Sequence, residues 1–147
     1  MSTVLERPAD ETLLSHGGKL FINNKWVDAR SGDTFDVFDP STGEVIAKVA
    51  SADKADVDDA VKAARAAFDG GEWSRLTPSD RGKLLWKVGD LLERDKEAFA
   101  RLETIDNGKP LSMSRGDVGL AIDMFHYMAG WATKITGSTT VCRGRTV

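Results

Sequence analysis

The 147-residue sequence holds one cysteine, Cys142, with only four prolines and one tyrosine. A single thiol closes no internal disulfide, so the fold does not depend on oxidising conditions. No apolar run reaches membrane-spanning length, which argues against a transmembrane helix. Neither sign of charge dominates: 20 basic and 23 acidic residues give a net charge of −3. That balance argues against nucleic acid or an anionic membrane as the main partner. His16, His126 and Cys142 offer too few ligands, at unsuitable spacings, for zinc. No G-x-G-x-x-G follows a candidate strand, so no dinucleotide phosphate loop is visible. The Gly108-Lys109 pair lacks the upstream glycine and the following hydroxyl residue of a P-loop, and reads as a helix C-cap. A G-x-S-x-G elbow is also missing, which leaves a hydrolase triad without support.

What is present is the composition of an ordinary globular protein, 41% hydrophobic and 29% charged, long enough for one domain with a core. Residues 1–18 are polar and are expected to form a flexible N-terminal arm. They contain no apolar core of signal-peptide length, so a cytoplasmic location is the expectation. Ordered sequence is expected from Lys19. Two short apolar runs flank Asn23-Asn24, residues that tolerate positive φ and suit a two-residue hairpin turn. The theme repeats in TFDVFDPSTGEVIAKVA, where Phe35 and Val37 alternate with acids and Asp39 to Gly43 supply turn chemistry. Val45, Ala47 and Val49 would line one face of the returning strand.

Four helices are predicted after the hairpins. The first carries Val57, Val61, Ala64 and Phe68 at helical spacing, with Asp53 as N-cap, Asp56 three residues on, and Gly70-Gly71 as the stop. The second opens with Thr77 as cap and Pro78 at the first helical position; Leu84, Leu85, Val88, Leu91 and Leu92 are its expected buried face. A shorter third helix bears Phe99, Leu102 and Ile105 and stops at Asn107-Gly108. The fourth, from about Ser114 to Thr133, is the most apolar. Val118, Ala121, Ile122, Phe125, Met128 and Ala129 span more than one of its faces, so it is expected to be covered on several sides. KITGSTTV beyond it has the composition of a strand. His126 reads as a packed or partly exposed helix residue. Cys142 reads as an incidental exposed thiol, because a reactive cysteine needs a positioned base or cation and a formed substrate site.

Taken in order, LFINNKWVDA, FDPSTGEVIAKVA, DVDDAVKAARAAF, RGKLLWKVGDLLERD, LETIDNGKP and YMAGWATKITGST resemble the N-terminal part of the NAD(P)-dependent aldehyde dehydrogenase superfamily. The resemblance runs from about Lys19 to Thr139. It implies an α+β segment, N-terminal β-hairpins followed by four helices, forming the incomplete front part of the family's α/β cofactor-binding domain. Residues 19–136 would form that part. Residues 137–147 would begin an oligomerisation strand with a divergent tail.

The family oxidises aldehydes to carboxylic acids with NAD or NADP. A cysteine forms a thiohemiacetal, passes hydride to the nicotinamide, and leaves a thioester that water hydrolyses with help from a glutamate. The 147 residues contain none of those signatures, and TTVCRGR does not match the family's cysteine motif, so Cys142 is not expected to be the nucleophile. The tail VCRGRTV reads as a premature end or a frameshift. The resemblance implies that Gly116 and Leu120 help line the aldehyde entry tunnel. It also implies that the Val37-Phe38 strand carbonyls and the Asp106 carboxylate belong to an incomplete monovalent-cation site. The alternative for Asp106 is a helix-end hydrogen-bond acceptor. This chain alone is expected to be inactive and to bind no NAD; the alternative reading is a short binding form that docks on full-length subunits, as a homo- or hetero-oligomer.

Overall fold

Two β-hairpins and a run of helices follow one another along the chain in the computed structural model, which describes residues 18–138 and the backbone of 141–142 and 145–146. The expected arm before Gly18 and the Cys142 side chain lie outside the described residues.

Strands β1 (Leu20–Ile22) and β2 (Lys25–Val27) pair antiparallel with Phe21 opposite Trp26. Their two-residue turn puts Asn23 and Asn24 at φ 51° and 59°. This left-handed pair matches the twist of a hairpin, and asparagine tolerates it. Strands β3 (Thr34–Phe38) and β4 (Val45–Ala50) form the second hairpin, with a register shift between Val37 and Phe38. Its turn is closed by Asp39, whose carboxylate accepts from the Ser41 backbone at 2.8 Å, while the Gly43 N–H donates to the Asp39 carbonyl at 2.7 Å. The Ala50 N–H reaches the Gly18 carbonyl at 2.8 Å, which joins the start of the described chain to β4.

Helix α1 (Lys54–Gly70) starts on the expected capping box. Asp53 Oδ1 accepts from the Ala55 and Asp56 amides at 2.7 and 3.0 Å, and Asp56 Oδ2 in turn accepts from the Asp53 amide at 3.1 Å. Asp56 is buried because it also accepts the Arg30 amide at 3.3 Å, and so pins the loop after β2 to the helix start. A one-turn helix α2 (Glu72–Arg75) follows, which the sequence pattern does not announce; it brings the helices among the described residues to five.

Thr77 caps α3 (Pro78–Arg94) by accepting from the Asp80 amide at 3.2 Å. Helix α4 (Lys96–Asn107) ends at Gly108, which takes φ 79° as the predicted left-handed cap. Helix α5 (Leu111–Trp131) begins three residues before the expected Ser114 and ends at Trp131 rather than Thr133. Pro110 occupies its N-cap position, without a side-chain cap bond. Residues 134–138 form no strand, contrary to expectation; the last regular elements are an antiparallel pair, β5 (Val141–Cys142) and β6 (Arg145–Thr146).

Helix α5 is the centre of a three-helix packing with α3 and α4. Ala100, Val118 and Ile122 form the buried core, flanked by Leu92, Phe99 and Leu111. The Thr104 and Ser114 hydroxyls satisfy each other at 2.8 Å across the α4–α5 contact, so Ser114 can be fully buried. At the rim, Arg115 makes two parallel 2.8 Å bonds to Glu97. These bonds hold the Glu97 carboxyl below the usual range and raise the Arg115 guanidinium.

The face α3 turns toward α5 corrects the sequence reading. Leu84, Val88 and Leu91 are exposed, whereas Gly82 and Gly89 are buried, with Leu85 and Leu92 partly so. The helices touch along a seam of small residues. A Cβ on Gly82 would stand 2.8 Å from the Ala129 carbonyl oxygen, and one on Gly89 would stand 2.5 Å from the His126 ring. The apolar stripe expected to bury α1 is likewise open, with Val57, Val61 and Phe68 all exposed.

Candidate functional site

Val118 and Ile122 are drawn into the core, so the opposite side of α5 faces outward. Met113, Leu120, Met124, Tyr127 and Trp131 recur at spacings of three, four or seven residues, which puts them on one helical face. All five are exposed, Leu120 by 64%. The Tyr127 and Trp131 rings lie 6.3 Å apart at its C-terminal end. Gly116 lies one turn before Leu120, and a Cβ there would meet nothing within 4 Å. The structure therefore places Gly116 and Leu120, the two residues singled out from the sequence, on one open apolar face. Such a surface binds hydrocarbon by burial, with the Tyr127 hydroxyl as a polar group on it.

The second predicted group is Val37, Phe38 and Asp106. The irregularity in the β3–β4 ladder falls between Val37 and Phe38, where the regular backbone pairing is interrupted. The C-terminal end of α4 closes on the adjacent turn: a Cβ on Gly108 would stand 2.9 Å from Pro40 Cγ. This brings the α4 terminus and the end of β3 into one corner. Asp106 is exposed there, and no hydrogen bond or ion pair to it is found among the described residues. The helix-end acceptor is its neighbour Asn107, whose Oδ1 takes the Lys109 amide at 3.0 Å. An oxygen-only donor set of this kind fits a hard cation better than a soft one. Among the described residues no three His, Cys, Asp or Glu side chains converge as metal ligands.

His126 is a packing residue, as expected. Its ring stacks on Trp86 at 4.3 Å between centroids, and Nε2 lies 3.2 Å from Asp90 Oδ1. A shallow cleft of about 390 Å³ opens beside this stack between the α3 N-terminus and the α5 C-terminus, bordered by Ser79, Lys83, Trp86, Thr133 and Lys134. Its lysines are engaged, Lys83 with Asp80 at 3.0 Å and Lys134 with the Gly130 carbonyl at 2.7 Å.

Every strand pairing among the described residues is an antiparallel two-strand hairpin, and none of them builds a parallel strand–helix–strand unit. Among the described residues no helix is long and apolar enough to cross a membrane. Sequence reasoning missed the Gly82/Gly89 seam and the Asp56–Arg30 clamp. The seam had a signal, since Gly82, Leu85, Gly89 and Leu92 repeat at three- and four-residue intervals. The clamp had none, because Arg30 lies 26 residues from Asp56.

A sequence model of the aldehyde dehydrogenase family matches residues 26–146. DhaS of Bacillus subtilis is 50% identical over 135 residues, covering 91% of this chain and 27% of that protein. The mitochondrial aldehyde dehydrogenase of Equus caballus is 54% identical over 123 residues, covering 82% of this chain and 25% of that protein. Among solved structures, the NAD+ complex of an aldehyde dehydrogenase from Bacillus cereus superposes with a TM-score of 0.89 at 38% identity, over 99% of this chain and 30% of that one. The chain spans about a quarter of the length of the curated relatives it matches.

Proposed function

The chain belongs to the aldehyde dehydrogenase family, and from that premise we propose that its residues are the N-terminal part of an enzyme that oxidises aldehydes to carboxylic acids with NAD or NADP. These residues act as wall and buttress and catalyse nothing by themselves. The observation that carries the reading is the outward face of α5, where Gly116 and Leu120 share an open apolar surface. Leu120 supplies hydrocarbon contact to an incoming aldehyde, and the missing side chain at Gly116 leaves room beside it. The corner formed by Val37, Phe38 and Asp106 supplies oxygen donors to a monovalent cation, with further donors from later family sequence. Nicotinamide, nucleophile and base are outside the roles assigned to these residues. The expected location is the cytoplasm.

The test is direct. Purified 147-residue chain mixed with NAD and a short aldehyde should give no NADH absorbance above a protein-free blank. Steady, chain-dependent NADH formation would sink the reading. In a joined polypeptide carrying the family's remaining sequence, Leu120→Trp should raise KM for bulky aldehydes at least several-fold more than for two-carbon aldehydes. An equal effect on both would remove Leu120 from the passage wall.

A further inference from the structure

The cleft beside the Trp86–His126 stack shares no residue with the Gly116–Leu120 face or with the corner of Val37, Phe38 and Asp106, so an occupant there is independent of the aldehyde reading. Its volume of about 390 Å³ has room for one small-ring molecule between the first turns of α3 and the end of α5. Gly82, Ala129 and Gly130 line it with little or no side chain. A Cβ on Gly130 would lie 3.5 Å from the Lys134 ammonium, so that glycine leaves open space beside a positive charge. Trp86 supplies an aromatic wall and is 51% exposed. His126 stacks on the indole at 4.3 Å, with 24° between the ring planes, and does not itself border the cleft. The stack therefore occupies the side of the indole away from the cleft. Asp90, 3.2 Å from Nε2, holds the His126 ring in turn. The indole thus meets a ligand as a preset surface, and a flat ring stacked on it gains contact beyond area burial.

Charge supplies the other half of the site. Lys83 borders the cleft from α3, and Lys134 from just beyond the end of α5. Lys83 has Asp80 at 3.0 Å, and Lys134 has the Gly130 carbonyl at 2.7 Å. Each contact uses one of an ammonium's three N–H donors, which leaves donors on both lysines for an anion. Two lysines against one aspartate leave a single positive charge, the complement of a monoanion. The Ser79 and Thr133 hydroxyls add neutral donors at the rim. We propose that this cleft binds a small aromatic carboxylate, with its ring on Trp86 and its carboxylate between Lys83 and Lys134. Such an occupant ties the start of α3 to the end of α5, so its binding stabilises the seam between the two helices.

The experiment titrates sodium benzoate into the isotope-labelled 147-residue chain at low ionic strength and follows the Trp86 indole N–H by NMR, assigned as the resonance that Trp86→Phe removes. A saturable shift is expected. Benzamide, the neutral isostere, should bind at least fivefold more weakly. Cyclohexanecarboxylate, which keeps the charge without the flat ring, should also bind at least fivefold more weakly. Lys83→Gln and Lys134→Gln should each raise Kd at least threefold. Gly130→Leu should fill the cleft and abolish the shift while the helical circular dichroism is retained. Added salt should weaken benzoate and leave benzamide unchanged. The lack of a saturable benzoate shift overturns the proposal. Equal affinity for benzoate and benzamide overturns it as well, because the lysines then play no part. Equal affinity for cyclohexanecarboxylate has the same force, since it removes the aromatic wall. Unchanged binding in folded Gly130→Leu would put benzoate outside this cleft and would equally overturn it.

Discussion

Three glycines in two helices make a controlled test of how α3 meets α5. Each lies inside a helix, so replacement by alanine brings the same propensity gain of about 1 kcal/mol at every position. What differs is the space. At Gly116 the new methyl meets nothing within 4 Å, so Gly116→Ala should stabilise by about 0.5–1 kcal/mol. At Gly82 it would stand 2.8 Å from the Ala129 carbonyl oxygen and 3.4 Å from Ala132 Cβ. A backbone oxygen cannot rotate away, so α5 must retreat, and overpacking of this kind costs about 1–3 kcal/mol.

The propensity term cancels in the comparison. Gly82→Ala should therefore be less stable than Gly116→Ala by about 1–3 kcal/mol, or roughly 4 °C in Tm for each kcal/mol. Gly89→Ala should fall between them, because its methyl meets the His126 ring at 2.5 Å and that ring can turn, giving up its stack on Trp86. His126→Ala should then relieve much of the Gly89→Ala penalty, a coupling that a double-mutant cycle detects. Urea unfolding followed by circular dichroism measures all of these. Equal stability of Gly82→Ala and Gly116→Ala would refute the glycine seam and restore the leucine face as the contact.

Other outcomes follow from the polar contacts. Asp56→Ala should cost more than Asp53→Ala: the cap alone is worth about 1 kcal/mol, whereas losing Asp56 also leaves the Arg30 amide without its partner, a further ~1–3 kcal/mol. Unfolding midpoints of the two variants check the order. Ser114→Ala should destabilise by about 1 kcal/mol because the Thr104 hydroxyl loses its partner, and adding Thr104→Val should recover part of that loss. Hydrogen bonding lowers the folded pKa of three carboxylates: Thr77 acts first on Asp80, Arg94 on Asp95 and Arg115 on Glu97. A lowered folded pKa means stabilisation that is present above the unfolded value, 4.5 for a glutamate, and lost as pH falls through the folded one. An acid titration of the unfolding midpoint should fall through that window, and Glu97→Gln should flatten it. Glu97 is exposed and Asp80 and Asp95 are partly so, and added salt should weaken the effect.

Local features were legible in the sequence because they are decided within a few residues. Asn23-Asn24 turn the first hairpin through backbone conformations that asparagine tolerates. Asp53 with Asp56, Thr77 with Pro78, and Gly108 each satisfy or terminate helix ends through bonds spanning four residues or fewer. The one-turn α2 escaped notice because four residues carry no periodicity. The family resemblance was legible too, since it rests on the order of many short motifs and not on any contact.

Which faces are buried was decided by the tertiary structure alone. Hydrophobic spacing marks the sides of a helix able to lose water, but not which of two such sides meets a neighbour. In α3 the leucines suggested one side and the glycines supplied another, because α5 approaches more closely over residues without side chains. The same holds for the candidate site. Gly116 and Leu120 are four residues apart in any helix, but only the burial of Val118 and Ile122 turns them outward. Likewise, only the closure of Gly108 on Pro40 draws the end of α4 toward β3. Sequence sets what each segment can do with its near neighbours, and the fold selects, through contacts distant in the chain, which of those options is used.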